Sequence, residues 1–509
     1  MTSPSRVVVI GAGMGGLAAS ARLATAGHQV TVLEQADTYG GKLGVYARDG
    51  FVFDTGPSLL TLPAVYRDLF LKTAMRRTGA SLEETVDLQP LDPAFRYRFP
   101  DGSTVDLPGS SRSRISEALD AGLGAGAGAQ WTALIDHAAK VWQVTRKPFL
   151  ETPLTGPADL LRQSLRLRDV RTVAPFTTLR GLGRRHLQDP RLRLLLDRYA
   201  TYAGSDPRKV PAALSVIPYV EQTFGAWHIG GGVRRLGDAL YERCVERGVT
   251  FAFGTDVEQV MTTAGRASGV RLASGQVIAA DVVVANADAR HVYDDLVPPK
   301  LGGSARRSLD KVTPSLSGFS LLLALRGRTS TSAGQPGMLH HTVLFPTDYD
   351  AEFDAVFGRN PLPVPDPTVY ICAPDDPLMR PDDAHESWFV LVNAPRHQPG
   401  HGVDWTAPGL AESYADRVLD VMAARGLDVR DRVIWRVVRT PADLEVATRA
   451  PGGSIYGTSS NGRRAAFLRP ANQSPIPGLF LVGGSAHPGG GLPLVGLSAE
   501  IVANLIGPA

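Results

Sequence analysis

The chain has 509 residues, of which 43% are hydrophobic and 20% charged, so two or three globular domains with large cores are expected and overall disorder is excluded. Its formal net charge of +3 is small for this length and argues against nucleic-acid binding. The two cysteines, Cys244 and Cys372, exclude a disulfide framework, favour a reducing compartment and are too few to suggest a metal site.

The sequence does not predict a membrane-spanning segment. No apolar run approaches the roughly 18 to 20 residues needed to cross a bilayer. The N-terminal residues also lack the apolar core of a secretion signal. We therefore expect a cytoplasmic protein, for which peripheral contact with a membrane stays open.

Residues 6–34 predict a strand–helix–strand unit that binds a dinucleotide. The apolar run at 7–10 is followed at once by Gly-x-Gly-x-x-Gly, formed by Gly11, Gly13 and Gly16. Gly11 permits the tight turn out of the strand, Gly13 leaves room for a pyrophosphate against the backbone, and Gly16 lets the helix pack closely. The free N–H groups at the helix start are expected to face the phosphates.

Glu34 ends the second strand of this unit, eighteen residues beyond Gly16. A carboxylate at that place can accept hydrogen bonds from a ribose 2′-OH and would repel a 2′-phosphate, so we expect an unphosphorylated adenine dinucleotide. A glycine pattern can also mark only a tight turn. That alternative is disfavoured because strand, helix, strand and acid occur in register.

Two further glycine turns follow. Gly40-Gly41-Lys42 comes shortly after Glu34, where consecutive glycines allow close approach of the backbone and the lysine can meet a phosphate or a flavin edge. Residues 50–58 predict a strand that delivers a tight turn at Gly56-Pro57 into a site.

The next part of the chain predicts helices and one hairpin. A helix is expected from about Leu62 to Ala80, and a hairpin spans 95–107 around Asp101-Gly102. Residues 121–129, AGLGAGAGA, suggest a flexible link to a helix at 131–142.

Residues from about 155 to 218 predict amphipathic helices broken by Pro175, Pro190 and Pro211, as in a cap over a site. Arginines recur there among leucines, at Arg162, Arg166, Arg168, Arg171, Arg180, Arg184, Arg185, Arg191, Arg193 and Arg198. They predict either a solvated helix face or a surface that lies on anionic lipid headgroups with its leucines inserted.

From Gly225 the sequence again alternates strand and helix. We expect a helix at 233–247, a strand pair that ends at Val257, a hairpin through Ser274-Gly275 and a buried strand at 282–285. This alternation resembles the first unit and indicates that the nucleotide-binding domain resumes here.

Residues 315–435 predict a second, mostly stranded domain. Its expected strands are 319–325, 342–345, 368–372 and 388–392, and a helix is expected at 412–425. His340 and His341 precede one strand; without a carboxylate or third ligand at metal spacing, we interpret them as packing residues and expect no metal.

The C-terminal stretch predicts a second ligand-binding loop. A buried strand at 479–482 opens into Gly483-Gly484-Ser485 and a Gly/Pro loop, and a helix begins at about Val495. Glycines before a helix offer bare N–H groups to an anion, and a dinucleotide needs contacts at its far end.

Together these residues resemble the bacterial phytoene desaturase type of carotenoid desaturase, within the flavin-containing amine oxidase group, over nearly the whole chain. The matching segments are GxGxxG with Glu34, GGK at Gly40–Lys42, FDTGPS at Phe53–Ser58, IPYVEQTFGAWHIGGG at Ile217–Gly232, HHTVLF at His340–Phe345, FLRPAN at Phe467–Asn472 and LVGGSAHPGGGLP at Leu481–Pro493. The last motif departs from the usual family form and looks more like the branch that acts on acyclic carotenoids already desaturated or hydroxylated, such as 3,4-desaturases.

The resemblance implies an α/β fold with a Rossmann-like FAD-binding domain, an inserted mixed α+β substrate domain and a helical membrane-associated cap. The corresponding ranges are 1–90, 225–300 and 445–509 for FAD binding, 91–154 and 301–444 for the substrate, and 155–224 for the cap. The residues implied to bind FAD are Gly11, Ala12, Gly13, Gly15, Gly16, Glu34, Gln35, Gly41, Lys42, Gly56, Pro57, Ser58, Val257, Gly484, Ser485, Leu492 and Pro493.

The implied activity is FAD-dependent removal of a hydride and a proton from adjacent carbons of an acyclic polyene. The polyene would enter a tunnel under the cap from the membrane. No catalytic residue is assigned; Glu221, His228 and His340 are candidates by position, and a weak base suffices because a C–H next to a delocalised cation is acidic. Only one complete dinucleotide fingerprint occurs, so a quinone or O₂ is the expected electron acceptor.

Three alternatives stay open. A carotenoid cis–trans isomerase has the same fold and flavin. An amine oxidase should carry an aromatic cage, which the C-terminal motif does not supply. A non-enzymatic prenyl-binding protein of the GDP-dissociation-inhibitor type would have no use for the two ends of an FAD site.

Overall fold

The computed structural model describes residues 4–75, 79–154, 172–174, 176–329, 338–462 and 469–509. The predictions that concern Arg162, Arg166, Arg168, Arg171 and Pro175, and the start of the FLRPAN motif at Phe467, lie outside these residues.

The strands are β1 (Arg6–Ile10), β2 (Gln29–Leu33), β3 (Val45–Arg48), β4 (Phe51–Asp54), β5 (Leu88–Pro90), β6 (Phe95–Arg98), β7 (Thr104–Leu107), β8 (Trp227–Ile229), β9 (Thr250–Ala252), β10 (Val257–Thr263), β11 (Arg266–Leu272), β12 (Val277–Ala279), β13 (Val282–Ala285), β14 (Ser317–Arg326), β15 (His341–Leu344), β16 (Val369–Cys372), β17 (His385–Ala394), β18 (Val433–Arg439) and β19 (Leu479–Leu481).

The α-helices are α1 (Met14–Thr25), α2 (Ala64–Thr73), α3 (Leu82–Thr85), α4 (Arg112–Leu123), α5 (Ala127–Leu150), α6 (Leu179–His186), α7 (Pro190–Arg198), α8 (Val216–Phe224), α9 (Arg234–Glu246), α10 (Ala289–His291), α11 (Gly303–Leu309), α12 (Tyr349–Phe357), α13 (Leu410–Ala424), α14 (Pro441–Thr448) and α15 (Leu492–Ile506). Short 3₁₀ turns lie at Tyr199–Ala203, Ala212–Ser215, Pro377–Met379, Arg430–Arg432 and Pro451–Gly453, and a π turn lies at Val292–Leu296.

A five-stranded parallel sheet unites three distant parts of the chain, in the order β19-β13-β1-β2-β9. The strands β1, β13 and β19 are short apolar runs buried on both faces, as parallel strands covered by other elements require, whereas the edge strand β9 is partly exposed. In the register Val7 lies beside Val282 on one side and Val30 on the other. The strands predicted near both termini, β1 and β19, therefore belong to one sheet with β13 between them, and their carboxyl ends share one edge.

Helix α1 covers one face of this sheet and is almost entirely buried, because it packs between α9 and α15. The antiparallel hairpins β10, β11 and β12 cover the other face. This two-sided covering is that of a doubly wound nucleotide-binding fold, in which ligands bind at the carboxyl ends of the strands.

A seven-stranded sheet, ordered β18-β14-β17-β16-β15-β6-β7, makes up the second layer. Its neighbours are antiparallel except β15 and β6, which run parallel. The strands predicted within 315–435, the hairpin at 95–107 and the hairpin through Ser274-Gly275 are confirmed.

The prediction of a flexible link at 121–129 is wrong. Residues up to Leu123 end α4, and α5 already begins at Ala127 and runs to Leu150. Alanine is the strongest helix former, and the break is confined to a turn in which Gly124 and Gly126 take positive φ angles of 105° and 90°.

Three other boundaries differ from those predicted. Helix α2 spans Ala64–Thr73 and is shorter than the helix predicted at about 62–80. The strand at Thr250–Ala252 joins the parallel sheet beside β2, so Val257 begins the next strand rather than ending a pair. Helix α15 begins at Leu492 rather than at Val495. Pro493 fits the first turn because the backbone N–H that proline lacks would have no hydrogen-bond partner within the helix there.

The described part of the region 155–218 is helical, as predicted, but its arginines do not form one exposed surface. Arg180 pairs with Asp197 and Asp350, Arg191 pairs with Asp189 at 2.7 Å, and Arg198 is buried. The leucines that were expected to face lipid are buried in the protein core, namely Leu179, Leu182, Leu192, Leu195 and Leu196. Arg184, Arg185 and Phe176 remain exposed. Among the described helices, none has the length and apolar character that crossing a membrane requires.

Candidate active site

A cavity of about 790 Å³ is bordered by both large sheets. This volume lies in the upper part of the range of about 300–1,000 Å³ that is typical of ligand sites. The predicted cofactor residues that line it are Gly11, Gly13, Gly15, Glu34, Gln35, Gly41, Lys42, Gly56, Pro57, Ser58, Val257, Gly484, Ser485, Leu492 and Pro493. Ala12 and Gly16 lie behind this surface and support it.

The two glycine loops meet at Asn286, at the end of β13. A Cβ on Gly15 would stand 2.6 Å from Asn286 Oδ1 and 2.8 Å from the Cα of Gly483, and one on Gly13 would stand 2.7 Å from Asn286 Nδ2. A Cβ on Gly16 would collide with the Gly11 carbonyl. The glycines thus serve close packing at the carboxyl ends of β1, β13 and β19.

The start of α1 is open to a ligand. Its N-cap residue is Gly13, which supplies no side-chain hydrogen bond to the first turn. Met14 and Gly15 line the cavity there, so the N–H groups of this first turn and the positive end of the helix dipole are left for an anionic ligand. Helix α15 also begins without a side-chain cap, after Gly491.

Glu34 holds the loop that follows β1. Its Oε2 accepts a hydrogen bond from the Ala12 N–H at 2.6 Å, and its Oε1 accepts one from the Ala36 N–H at 2.9 Å. Each carboxylate oxygen has a second lone pair, and the residue borders the cavity. Glu34 can therefore accept from a ribose hydroxyl while it anchors the glycine loop.

Lys42, predicted to meet a phosphate or a flavin edge, borders the cavity and is held there by backbone carbonyl groups. Its Nζ donates hydrogen bonds to the carbonyl oxygens of Ser454 at 2.9 Å and Ile455 at 2.7 Å. Burial lowers the pKa of Lys42, while the nearby carboxylate of Asp288 acts in the opposite direction. The ammonium thus ties the second glycine turn to a distant segment of the chain.

Asp288 is the acidic partner of this buried region. Its Oδ1 accepts from the Arg290 N–H at 2.9 Å, while Oδ2 is buried without a hydrogen-bond partner among the described residues. Burial raises the pKa of Asp288, and Lys42 is the charge that most opposes that rise. Both residues line the cavity.

The C-terminal loop is held by a buried arginine and asparagine. Arg469 donates to the carbonyl oxygens of Gly484 at 2.8 Å and Thr458 at 3.0 Å, and burial lowers its pKa to about 10. Asn472 Nδ2 donates to the carbonyl oxygens of Leu481 and His487. The FLRPAN motif thus fixes the loop from behind.

His487 faces the cavity within this loop and is only 3% exposed. Its Nε2 lies 3.0 Å from the Thr152 carbonyl oxygen, so Nε2 carries the proton and donates it. Burial lowers the pKa of His487 to about 4. The ring is therefore neutral near pH 7.

Ser58 links the Gly56-Pro57 turn to the second sheet. Its Oγ lies 2.6 Å from the Tyr370 hydroxyl, which lies 2.8 Å from His341 Nδ1. Burial raises the pKa of Tyr370 and lowers that of His341, so both stay neutral. The hydrogen bonds fix this turn against the substrate-facing sheet.

The rest of the cavity wall is mainly apolar. It is formed by residues of α5, α8 and the second sheet, including Trp142, Phe149, Leu150, Ile217, Val220, Phe389 and Leu391. The apolar wall is interrupted by three polar residues that also line the cavity, Arg198, Tyr202 and Glu221. Such a wall suits a long apolar ligand.

Of the three candidate catalytic residues, Glu221 lies apart from the other two, whereas the rings of His228 and His340 have their centres 4.7 Å apart. Glu221 borders the cavity, but both of its carboxylate oxygens already accept phenolic hydrogen bonds, from Tyr199 at 2.6 Å and Tyr202 at 3.2 Å. His228 and His340 do not line the cavity; His228 Nε2 lies 2.8 Å from Asp376 Oδ2.

The expectation that His340 and His341 lack a third ligand-type neighbour is not met. Cys372, on the adjacent strand, lies with them so that one potential ligand atom from each falls within 4.8 Å of the others. Cross-strand pairing places His341 beside Cys372, which sequence spacing could not indicate. Burial raises the pKa of the Cys372 thiol and lowers that of His340 to about 3.

Sequence reasoning missed several cavity residues, notably Asn286, Asp288 and Arg198. Asn286 and Asp288 directly follow β13, and polar residues after a parallel strand are a usual signal of a site. Arg198 follows Leu195 by three residues and precedes Tyr202 by four, so it interrupts an apolar helical stripe.

These residues fit an adenine dinucleotide that ends in a flavin. The open first turn of α1 suits the pyrophosphate and Glu34 suits the ribose. Val257 lines the same cavity, two residues after Thr255, whose N–H donates to the Glu34 carbonyl oxygen at 2.8 Å, and the Ser58 turn and the Gly484 loop also border the cavity.

Comparisons with known proteins agree with this fit. The model of the family "flavin containing amine oxidoreductase" matches residues 14–356. The chain is 33% identical over 508 residues to a 4,4′-diapolycopene oxygenase of Methylomonas, with 98% of each chain covered. It is 34% identical to a hydroxyneurosporene desaturase of Rubrivivax gelatinosus, covering 98% of this chain and 93% of the relative.

Solved structures show the same fold. Wild-type putrescine oxidase bound to putrescine superimposes with a TM-score of 0.65 at 14% identity, with 99% of both chains covered. The resemblance derived from the motifs is confirmed by the relatives. The chain belongs to the flavin-containing amine oxidoreductases, in the group that contains the bacterial carotenoid desaturases, and is an FAD-dependent oxidoreductase.

Proposed function

We propose that this enzyme desaturates an acyclic carotenoid at a carbon–carbon single bond near one end of the molecule, as a 3,4-desaturase does. One observation carries the proposal: both glycine loops and a long apolar wall border the same cavity. The relatives named for carotenoid desaturation or oxygenation support a polyene as the substrate.

The protein's own contribution is to bind and orient the polyene and to exclude water. Bound FAD would supply the hydride acceptor. Trp142, Ile217 and Leu391 would hold the chain by apolar contact, since burying each CH₂ group is worth about 0.8 kcal/mol. The Ser58–Tyr370 hydrogen bond would fix the turn against which the reacting carbons lie.

Proton removal needs no strongly basic residue. A C–H beside a delocalised cation is acidic, so a neutral group or water suffices. Neutral His487 borders the cavity and its Nδ1 is free of any hydrogen bond to the described residues. The ionised form of Glu221 is already stabilised by two phenols and is less suited to this task.

The domain limits inferred from the sequence are part of the proposal: 1–90, 225–300 and 445–509 bind FAD, 91–154 and 301–444 bind the substrate, and 155–224 forms the cap. Peripheral contact with a lipid surface would use the exposed residues Phe176, Arg184 and Arg185 of the cap. A quinone or O₂ would accept the electrons.

The proposal is tested by expression in bacterial hosts that accumulate phytoene, neurosporene, lycopene or 1-hydroxylated derivatives, followed by chromatography and mass analysis of the pigments. We expect a product that has lost two hydrogens at a terminal single bond. A product of unchanged mass would show an isomerase, and one that has gained oxygen an oxygenase. Purified protein without flavin absorbance would favour a prenyl-binding protein.

A further inference from the structure

Arg198 is a cation in the polar part of the cavity wall that it forms with Tyr202 and Glu221. It is 5% exposed, and its guanidinium carbon lies 5.0 Å from the ring centre of Tyr202, 5.6 Å from those of Phe95 and Tyr370, and 5.7 Å from that of Tyr97. Aromatic faces attract a cation but offer no hydrogen-bond acceptor in their plane. The rings therefore hold the planar guanidinium in place without accepting hydrogen bonds from its N–H groups.

The hydrogen bonds of Arg198 support this reading. Among the described residues, its guanidinium donates to one group, the hydroxyl of Tyr202, at 2.7 Å from Nη1. The Tyr202 hydroxyl in turn donates a hydrogen bond to Glu221 Oε2 at 3.2 Å, and the Tyr199 hydroxyl donates one to Oε1 at 2.6 Å. Glu221 thus balances the charge of Arg198 through Tyr202 without occupying its other donors.

An ionised guanidinium carries five N–H donors and has no acceptor. Burying guanidinium donors without an acceptor costs free energy even where a neighbouring carboxylate balances the charge, so a ligand that provides an acceptor is favoured there. A hydrocarbon polyene provides none. A polyene with a hydroxyl, methoxy or keto oxygen provides one at a fixed place along its chain.

We propose that Arg198 binds an oxygen atom of the substrate, so that the enzyme acts on an oxygenated acyclic polyene in preference to the corresponding hydrocarbon. This inference rests on the proposed carotenoid desaturation and narrows its substrate class. Tyr202 and Glu221 act as positioning residues that orient the guanidinium. They need not touch the polyene.

The location of Arg198 also predicts where the reaction occurs. Tyr370, whose ring lies beside the guanidinium, bonds through its hydroxyl to Ser58 at 2.6 Å. Ser58 belongs to the turn proposed to contact the flavin. The oxygen is thus held close to the reactive end of the cavity, and the bond that loses hydrogen lies a few carbons from it.

The test compares one pair of substrates, lycopene and 1-hydroxylycopene, each in liposomes, with the full-length flavin-loaded enzyme. For the wild type we expect a kcat/KM at least about tenfold higher for the hydroxylated polyene, since a buried polar contact discriminates at least this strongly. Arg198→Leu should abolish this preference, mainly through KM for the hydroxylated substrate. Arg198→Lys should restore part of it.

Arg193→Met is the matched control, because Arg193 lies on the same helix, donates to the Leu187 carbonyl oxygen and does not line the cavity. It should retain the preference. Should Arg198→Leu not fold, titration of the wild type and Arg198→Lys with both polyenes, followed through the flavin absorbance, gives the same comparison.

Equal kcat/KM values for the two polyenes in the wild type would overturn the inference while leaving desaturation intact. A preference that survives Arg198→Leu would do so too; if that variant instead slows flavin reoxidation by a quinone, the acceptor oxygen belongs to the quinone. Turnover of neither polyene would refute the proposed function itself.

Discussion

Gly15 and Gly483 pack against each other so closely that neither could carry a side chain. A Cβ on Gly15 would stand 2.8 Å from Gly483 Cα, and one on Gly483 would stand 2.6 Å from Asn286 Oδ1. The loop near the N-terminus and the loop near the C-terminus are thus one structural unit. Any ligand that binds the first loop is bordered by the second.

We expect Gly15→Ala to lose most bound FAD, because the new methyl group would push the two loops apart. Flavin absorbance per protein, measured after purification, should fall at least tenfold. Gly303→Ala is the control, since a Cβ there meets only Arg307 Nη1 at 3.4 Å, in a helix outside the cavity. Full flavin content in Gly15→Ala would contradict the close packing described here.

Glu34→Gln should weaken FAD binding about 10- to 100-fold. A hydrogen bond to a charged group contributes about 1.5–3 kcal/mol, and the amide would turn an N–H donor toward Ala12 or Ala36. The dissociation constant can be measured by titration of the apoprotein with FAD. Glu258→Gln, whose side chain is exposed on β10, should bind FAD like the wild type. Neither variant is expected to bind NADP in preference to FAD.

The local patterns in the sequence predicted the strands and helices that carry the site, because buried parallel strands and their following glycines are set by nearby residues. Val282–Ala285 was predicted with its observed limits. The prediction of a flexible link at 121–129 was wrong because it gave more weight to the glycines of this segment than to its helix-forming alanines. In the structure only the two glycines with positive φ form a turn.

Contacts between distant segments were not predictable. Lys42 reaches Ser454 and Ile455, and Ser58 reaches Tyr370, only after the two sheets have come together. Arg198 was assigned to a surface because neighbouring arginines are frequent. Arg198 is buried because it lies on the face of α7 that packs into the protein. A single sequence does not show which other elements pack against that face.

Glu221→Gln should lower kcat by less than about tenfold and leave the pH–rate profile unchanged. Loss of a general base usually costs about 10²- to 10⁴-fold. Here the carboxylate accepts from Tyr199 and Tyr202, so its removal is expected to disturb orientation rather than proton transfer. A larger loss together with a missing limb of the pH profile would identify Glu221 as the base.

His487 should make the fold sensitive to acid. Its folded-state pKa is lowered to about 4 by burial, whereas an unfolded histidine titrates near 6.5. Below pH 6.5 the unfolded chain therefore binds a proton that the folded protein refuses until about pH 4. Stability present at pH 7 is lost as the pH falls through this window, by up to about 3 kcal/mol.

Urea unfolding of the wild type and His487→Gln at pH 7, 6, 5 and 4 measures this effect. The glutamine keeps an N–H donor for the Thr152 carbonyl oxygen but has no proton to bind. The difference in unfolding free energy should shift in favour of the variant on acidification. A constant difference would mean that the ring titrates normally.

Lys42 and Asp288 should stabilise the protein only as a pair. Asp288 is buried and Lys42 is half-buried, and each opposes the effect of burial on the other's pKa. Lys42→Met leaves the carbonyls of Ser454 and Ile455 without their donor and Asp288 without its cation. Each single variant, Lys42→Met or Asp288→Asn, should lower the free energy of unfolding by about 1–3 kcal/mol, the usual cost of leaving buried polar groups without their hydrogen-bond partners.

The double variant decides whether the two charges interact. Its loss should be smaller than the sum of the single losses by at least about 1 kcal/mol, because neither residue is then left as an uncompensated charge. The exposed pair Arg271–Glu258, at 3.0 Å, provides the control cycle, for which about 0–1 kcal/mol is expected. Strictly additive losses for Lys42 and Asp288 would show that each acts through its own hydrogen bonds. The link between the second glycine turn and the end of β13 would then not be electrostatic.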